Sequence, residues 1–397
     1  KILGGTDRSN NVASIPYIAP NALLDMLGFD IVTNQKVVFV MWFELVGLSM
    51  YLLMSIIFSG NKENRYSCNF SKLSAATYYM FGFYNMFVWT RLQLALPTLI
   101  LVPVYLAILI AVQKKRISLL TASSYTVLLA IISAPSGLQP PQLYIFFFFI
   151  LGYLLYSIFF QGKSEDFINI KSLVKSWFVI GFVFVAASLF WMLPLLSFII
   201  SSGYGNSEIG KEVFSVYELI NWVSGPLSFQ NIFRFFGDVV WFDSWSEELY
   251  FPDFQIYLKS TFMILISFVI PILVFLSLIF MKGSKYWFFI LFFGVVLIVS
   301  IFLSKGNHQP FGLIYLWLVD NAPLFWIQRA PWQKFALFSS VSYSVLFGFA
   351  IYYLASKLQL VFIRKKEIFG SNRLTNILFN VFPVVLLLLF ITGYHSI

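Results

Sequence analysis

Ten long apolar segments bound what this chain can fold into. They lie at about 37–59, 72–90, 92–112, 117–134, 142–160, 176–201, 258–281, 286–304, 335–357 and 376–394. Each is long enough, or nearly so, to cross a hydrocarbon core about 30 Å thick. Backbone polar groups inside a bilayer need internal partners, so such segments fold as helices. The expected fold is therefore all-α, a polytopic transmembrane bundle of about ten spans. The segment at 117–134 is short and rich in Ser and Thr. The one at 72–90 carries Gly82 and Asn85, which predict a kink. Composition points the same way: 59% of residues are hydrophobic and 11% charged, against about 25% charged in a soluble domain.

The basic residues set an orientation. Alternating loops at 60–71, 113–116, 161–175, 282–285 and 358–375 carry runs such as Lys114-Lys115-Arg116 and Arg364-Lys365-Lys366. Only Glu63, Glu165, Asp166 and Glu367 accompany them as acids. The positive-inside rule places these loops in the cytoplasm. The chain then divides into an extracytoplasmic segment (1–36), a first transmembrane bundle (37–201), an outer aromatic and acidic loop (202–257), and a second bundle (258–397) with an outer loop at 305–334. The cytoplasmic loops are too short to form a domain, so chemistry is expected on the outer face of the plasma or cytoplasmic membrane. The net charge of +9 lies largely in short loops and does not mark a nucleic-acid binder. The chain starts at Lys1 without an apolar run before Lys36. The first outer loop is therefore expected to be incomplete at its start.

Several classes of site are disfavoured. Cys68 is the single cysteine, which rules out an intrachain disulfide framework and a multi-cysteine metal site. His308 and His395 are far apart in sequence, and no Walker A or Rossmann glycine pattern is present. No metal ligand set is assigned. Asp243, Glu247 and Glu248 could hold a hard divalent cation through oxygen or form a solvated acidic loop.

Candidate residues concentrate in two outer stretches. Asn321–Phe335 reads NAPLFWIQRAPWQKF. Pro323 and Pro331 break a regular helix through it. Trp326 and Trp332 are of the type that sits at a membrane–water boundary. The expectation is a rigid hairpin carrying Arg329 and Lys334. The two cations could hold a phosphate, Arg329 by a bidentate fork and Lys334 as a point charge. Alternatively they snorkel to lipid headgroups. In 202–257, Phe214, Tyr217, Ile220 and Trp222 form a stripe suited to the interface plane. Beyond it, aromatic residues alternate with acids, including Asp238. Trp222, Trp241 and Trp245 with Glu247 and Glu248 could bind a sugar or lipid, or hold a re-entrant loop. This loop is expected to fold beside 305–334 and enclose a cavity with it. Within the first span Glu44 is an intramembrane carboxylate, which is either functional or bonded to a neighbouring helix with Arg91 as counter-charge. Asp7, Asp25 and Asp30 read as loop acids.

The pattern Pro323-Leu324-Phe325-Trp326, Arg329-Ala330-Pro331 and Lys334-Phe335, opening a long helix with Gly348, resembles large C-type membrane glycosyltransferases (GT-C). The nearest resemblance is to the membrane core of α-(1→3)-arabinofuranosyltransferase-like proteins. Ile15-Pro16-Tyr17-Ile18-Ala19-Pro20, Leu27-Gly28 and Gln35 look similar to the end of that family's first outer loop. The resemblance covers most of the chain in topology and only these two patches in motif. It implies transfer of a sugar from a polyprenyl-phosphate donor to an extracytoplasmic glycan or protein acceptor, in cell-envelope glycan biosynthesis. It also implies a carboxylate base early in the first outer loop, which here is Asp7 or a residue upstream of Lys1. Arg329 and Lys334 would then face the lipid phosphate. Two other classes stay open, a transporter or flippase of lipid-linked sugars and a non-catalytic membrane scaffold.

Overall fold

The computed structural model describes residues 9–60, 64–91, 95–161, 167–201, 216–242, 244–245, 248–249 and 255–369. Within them the chain is helical apart from two two-residue strands, β1 (Ser244–Trp245) and β2 (Glu248–Leu249), paired antiparallel. The first half comprises α1 (Ile15–Met26), α2 (Ile31–Ile57), α3 (Arg65–Phe81), α4 (Phe83–Arg91), α5 (Leu96–Gln113), α6 (Leu119–Ile132), α7 (Pro140–Phe160) and α8 (Ile170–Ser201). The second half comprises α9 (Val216–Ser224), α10 (Phe229–Phe233), α11 (Gln255–Lys259), α12 (Thr261–Ser267), α13 (Val269–Phe280), α14 (Trp287–Ser304), α15 (Gly312–Asn321) and α16 (Pro331–Phe369).

Among the described residues, seven stretches are long and apolar enough to cross a membrane: α2, α5, α7, α8, the α12–α13 pair, α14 and α16. By helix length and composition, this is an all-helical membrane protein. The expected segment at 117–134 becomes the shorter α6, of 14 residues. The one at 72–90 is broken at Gly82, whose ψ of 142° is extended. The amide of Asn85 donates to the Tyr79 carbonyl beside that break. The segment at 376–394 lies outside the described residues.

Two helices form the centre. In α5 and α16, 94% of the apolar window is buried, against 22% in α7 and α8, which form the rim. Small residues let α16 approach α3 closely. Ser71 Oγ donates to the Gly348 carbonyl at 2.6 Å. A Cβ at Gly348 would lie 2.6 Å from Met54 Cε and 3.0 Å from Ala75 Cβ. Close backbone approach through small residues, with hydroxyl bonds across the seam, is how helices associate where lipid removes the hydrophobic drive. Ser300 and Ser339, 2.8 Å apart through their hydroxyls, tie α14 to α16 in the same way. Residues from both halves, such as Leu53, Tyr79, Phe293 and Leu346, share one continuous core.

The described part of residues 1–36 is more helical than its prolines indicate. α1 starts at Ile15 and runs to Met26 through Pro20. Pro16 sits in the first turn, where a missing N–H breaks no helical bond. Asp30 is the N-cap of α2: its Oδ1 accepts from the Val32 and Thr33 amides at 3.0 and 3.1 Å. The expected loop acid is therefore a helix-starting residue.

Candidate functional site

The Asn321–Phe335 segment is a short linker followed by a helix start, not a hairpin. Leu324 takes a left-handed backbone (φ 59°), which is uncommon for a branched side chain. It turns the chain from α15 into a 3-10 turn over Phe325–Gln328. Pro331 then opens α16, so a proline that reads as a breaker acts as a helix starter. Lys334 accordingly falls in the first turn of α16. The first four N–H groups of a helix lack intrahelical partners and carry partial positive charge. A lysine there, five residues after Arg329, adds a second positive charge to that end of the helix.

The segment is held by its neighbours. Tyr315 donates through its hydroxyl to the Gln328 carbonyl. Gln328 Nε2 donates to the Pro141 carbonyl at 3.0 Å, and the Tyr144 hydroxyl to the Pro323 carbonyl at 2.7 Å. The Tyr84 hydroxyl donates to the Gln333 carbonyl at 2.9 Å. Gln333 Nε2 donates to Asp238 Oδ2 at 2.9 Å. Asp238 is buried, and its Oδ1 caps a 3-10 turn through the Val240 amide at 3.0 Å.

Trp332 is 2% exposed, so it is not the surface residue that Trp326, at 46%, is. Its ring meets Tyr84, Phe87 and Trp241 edge-on, with centroids 5.2–5.4 Å apart. Gly237 admits it: a Cβ there would lie 2.1 Å from Trp332 Cδ1. Trp241 is buried in the same cluster at 3% exposure, so it builds the wall and presents no open face to a sugar.

The cations differ in availability. Arg329 is exposed and has no hydrogen bond to any described residue. Lys334 Nζ reaches Gln139 Oε1 at 3.5 Å, and the side chain is only partly exposed. Lys305, at the start of the 305–334 loop, is by contrast fully buried and engaged. It donates to the His308 and Pro310 carbonyls and lies 5.0 Å from the Phe302 ring centre. Arg234 is likewise buried, donating to Ser267 Oγ and the Tyr257 carbonyl.

An apolar groove of about 690 Å³ adjoins the segment. Ala322, Pro323, Phe325 and Phe335 line one part of it, and Phe148, Phe149, Phe292 and Val296 line another. It therefore runs against α7 and α14. Its described lining includes no residue of 202–257, the loop expected to enclose a cavity with 305–334. Those loops do meet through their described parts. Tyr217 donates to Asp320, Asn307 to Asn221, and Gln333 to Asp238.

The other sequence candidates are dispersed. Trp222 is 49% exposed on α9. Trp245 and Glu248 fall in the β ladder, with their side chains outside the described residues, as are Glu247, Asp243 and Asp7 altogether. Glu44 is exposed on α2, and the side chain of its expected partner Arg91 is outside the described residues. No group of three or more His, Cys, Asp or Glu that could hold a metal occurs among the described residues. The residues missed in sequence are Tyr84, Gln333 and Gln142, whose Nε2 donates to the Tyr84 hydroxyl and the Gln333 carbonyl at 3.4 Å. An amide beside aromatic residues is the one signal for the two glutamines. Comparison with protein families, curated proteins and solved structures finds no match for this chain.

Proposed function

We propose that the chain is the membrane core of a C-type glycosyltransferase that draws on a polyprenyl-phosphate-linked sugar. One observation carries this reading: a single segment supplies both two neighbouring cations at a helix start and part of the wall of an apolar groove. An anionic head on a hydrocarbon tail is the ligand that matches both. Phosphate suits a helix N-terminus, the Arg329 fork and the Lys334 point charge together. The groove's volume lies within the range of about 300–1,000 Å³ usual for ligand pockets.

In the proposed reaction, an acceptor hydroxyl oxygen attacks the anomeric carbon. The bond from that carbon to the phosphate oxygen breaks, and the electron pair leaves with the polyprenyl phosphate. A carboxylate base, Asp7 or one outside this chain, takes the hydroxyl proton. Arg329 and Lys334 stabilise the charge that grows on the leaving phosphate. The transporter reading is weaker because Glu44, the intramembrane carboxylate a polar path would use, is exposed on α2.

The test is donor turnover by the purified protein in nanodiscs. Polyprenyl phosphates carrying radiolabelled arabinose, mannose or galactose are supplied, and label leaving the lipid is counted. At least one donor is expected to turn over; absence of both turnover and donor binding across the panel removes the reading. The site must also face outward. In a Cys68→Ser background, Lys282→Cys and Ser207→Cys are expected to react with an impermeant maleimide from opposite sides of the membrane. Labelling of both from one side would reverse the assigned topology.

A further inference from the structure

A second cleft, of about 880 Å³, opens between α1 and the start of α2, with Tyr17, Asn21, Asp25, Asn34, Gln35 and Lys36 among its lining. Its frame is fixed. The α1–α2 turn passes through Gly28 at φ +85°, a conformation that L side chains rarely adopt. The Gly28 amide donates to the Asp25 carbonyl at 2.9 Å and the Phe29 amide to the Leu24 carbonyl at 3.1 Å, while Asp30 caps α2. The Tyr17 ring stacks on Trp42 with centroids 5.3 Å apart. Trp42 is 2% exposed, so the ring has a rigid backing.

One lining group is left incomplete. Asn34 is 4% exposed, and its Nδ2 makes a long 3.5 Å bond to the Phe29 carbonyl. Its Oδ1 is buried without a partner among the described residues. A buried acceptor of this kind carries a desolvation penalty unless something donates to it.

We propose that this cleft binds the neutral saccharide headgroup of a membrane-anchored glycan. Three side-chain amides each offer donors and an acceptor, which is what a ring of hydroxyls requires. Among the described lining residues one carboxylate and one ammonium cancel, so Asp25 disfavours an anionic headgroup and Lys36 a cationic one. The Tyr17 ring supplies an apolar surface for a sugar face. Exposed Met26, Leu27 and Ile31 (85, 66 and 71%) beside the cleft set it at the depth of the lipid headgroups. Taken with the glycosyltransferase reading, on which this last step rests, the headgroup is the acceptor.

The test measures binding without any donor. Octyl glycosides of arabinofuranose, galactofuranose, mannose and glucose are titrated by surface plasmon resonance against the protein in phosphatidylcholine nanodiscs. At least one is expected to bind saturably. Asp25→Asn, which replaces a charge-assisted acceptor by a neutral one and leaves Lys36 unbalanced, and Gln35→Leu, which removes an amide, are both at exposed positions and are each expected to weaken it about tenfold. Asn34→Leu should do the same, and if it fails to fold the two exposed variants decide. Arg329→Ala should leave this affinity unchanged, which separates the cleft from the donor segment. Absence of saturable binding across the panel overturns the proposal. So does affinity that survives Asp25→Asn and Gln35→Leu, or competition by phosphatidylglycerol, which would make the cleft a headgroup site for ordinary lipid. Glycoside binding without donor turnover would leave the cleft standing and remove only the enzyme reading.

Discussion

Replacing Arg329 by alanine is expected to lower donor turnover by about 10²–10³-fold, the usual effect of removing one preorganised donor at a developing charge. The expectation rests on its position. Arg329 is exposed and makes no hydrogen bond to a described residue, so no described side chain competes for its fork. The backbone around it is set by Leu324, Pro331 and the Tyr315–Gln328 bond, so little ordering is left to occur on binding. Arg329→Lys keeps charge and loses the paired geometry, and should retain an intermediate rate. Both variants should fold and insert normally, since truncating an exposed side chain away from the core changes stability little. The measurement is single-turnover release of labelled sugar beside equilibrium binding of the sugar-free polyprenyl phosphate. Unchanged turnover and unchanged phosphate binding in Arg329→Ala would reduce the residue to a headgroup anchor.

The apolar helices were legible because a bilayer imposes length and internal bonding on any segment that crosses it. The break at Gly82 was legible for a local reason too, since a glycine and an amide in one turn free and then satisfy a carbonyl. Residues whose role depends on a distant partner were not. Gln333 and Asp238 are 95 positions apart, and their pairing does not show until α16 and the 216–242 stretch meet. Trp332 and Trp326 have the same local character, yet only Trp332 has a glycine opposite it. Pro331 was misleading because proline breaks a helix it interrupts and starts one it precedes. That difference moves Lys334 out of the loop and into the first turn of α16. Trp241 followed the same course as Trp332: an aromatic among acids reads as a sugar platform, and burial makes it a wall.

The contact between Gly237 and Trp332 should be the most sensitive point in the outer assembly. Trp332→Ala removes a buried aromatic ring, a change that typically costs about 3–5 kcal/mol. Gly237→Ala acts from the other side. Its methyl would lie 2.1 Å from Trp332 Cδ1 and 2.4 Å from Trp332 Nε1, far inside contact distance, so the indole must move. Moving it disturbs Tyr84, Phe87 and Trp241, which meet its edges. The next residue, Gln333, then loses register with Asp238 and with the Tyr84 hydroxyl. Arg329 and Lys334 flank this anchor in sequence, so both variants are expected to lower turnover as well as thermal stability. A double-mutant cycle in detergent, read by the midpoint of thermal unfolding, separates this from a general loss of packing. Gly237→Ala should lower the midpoint strongly in the native background and far less beside Trp332→Ala, where the methyl has room. Strictly additive shifts would mean that the two positions do not touch. Trp332→Phe should fall between, since a smaller ring fills part of the space and leaves part of the cavity open.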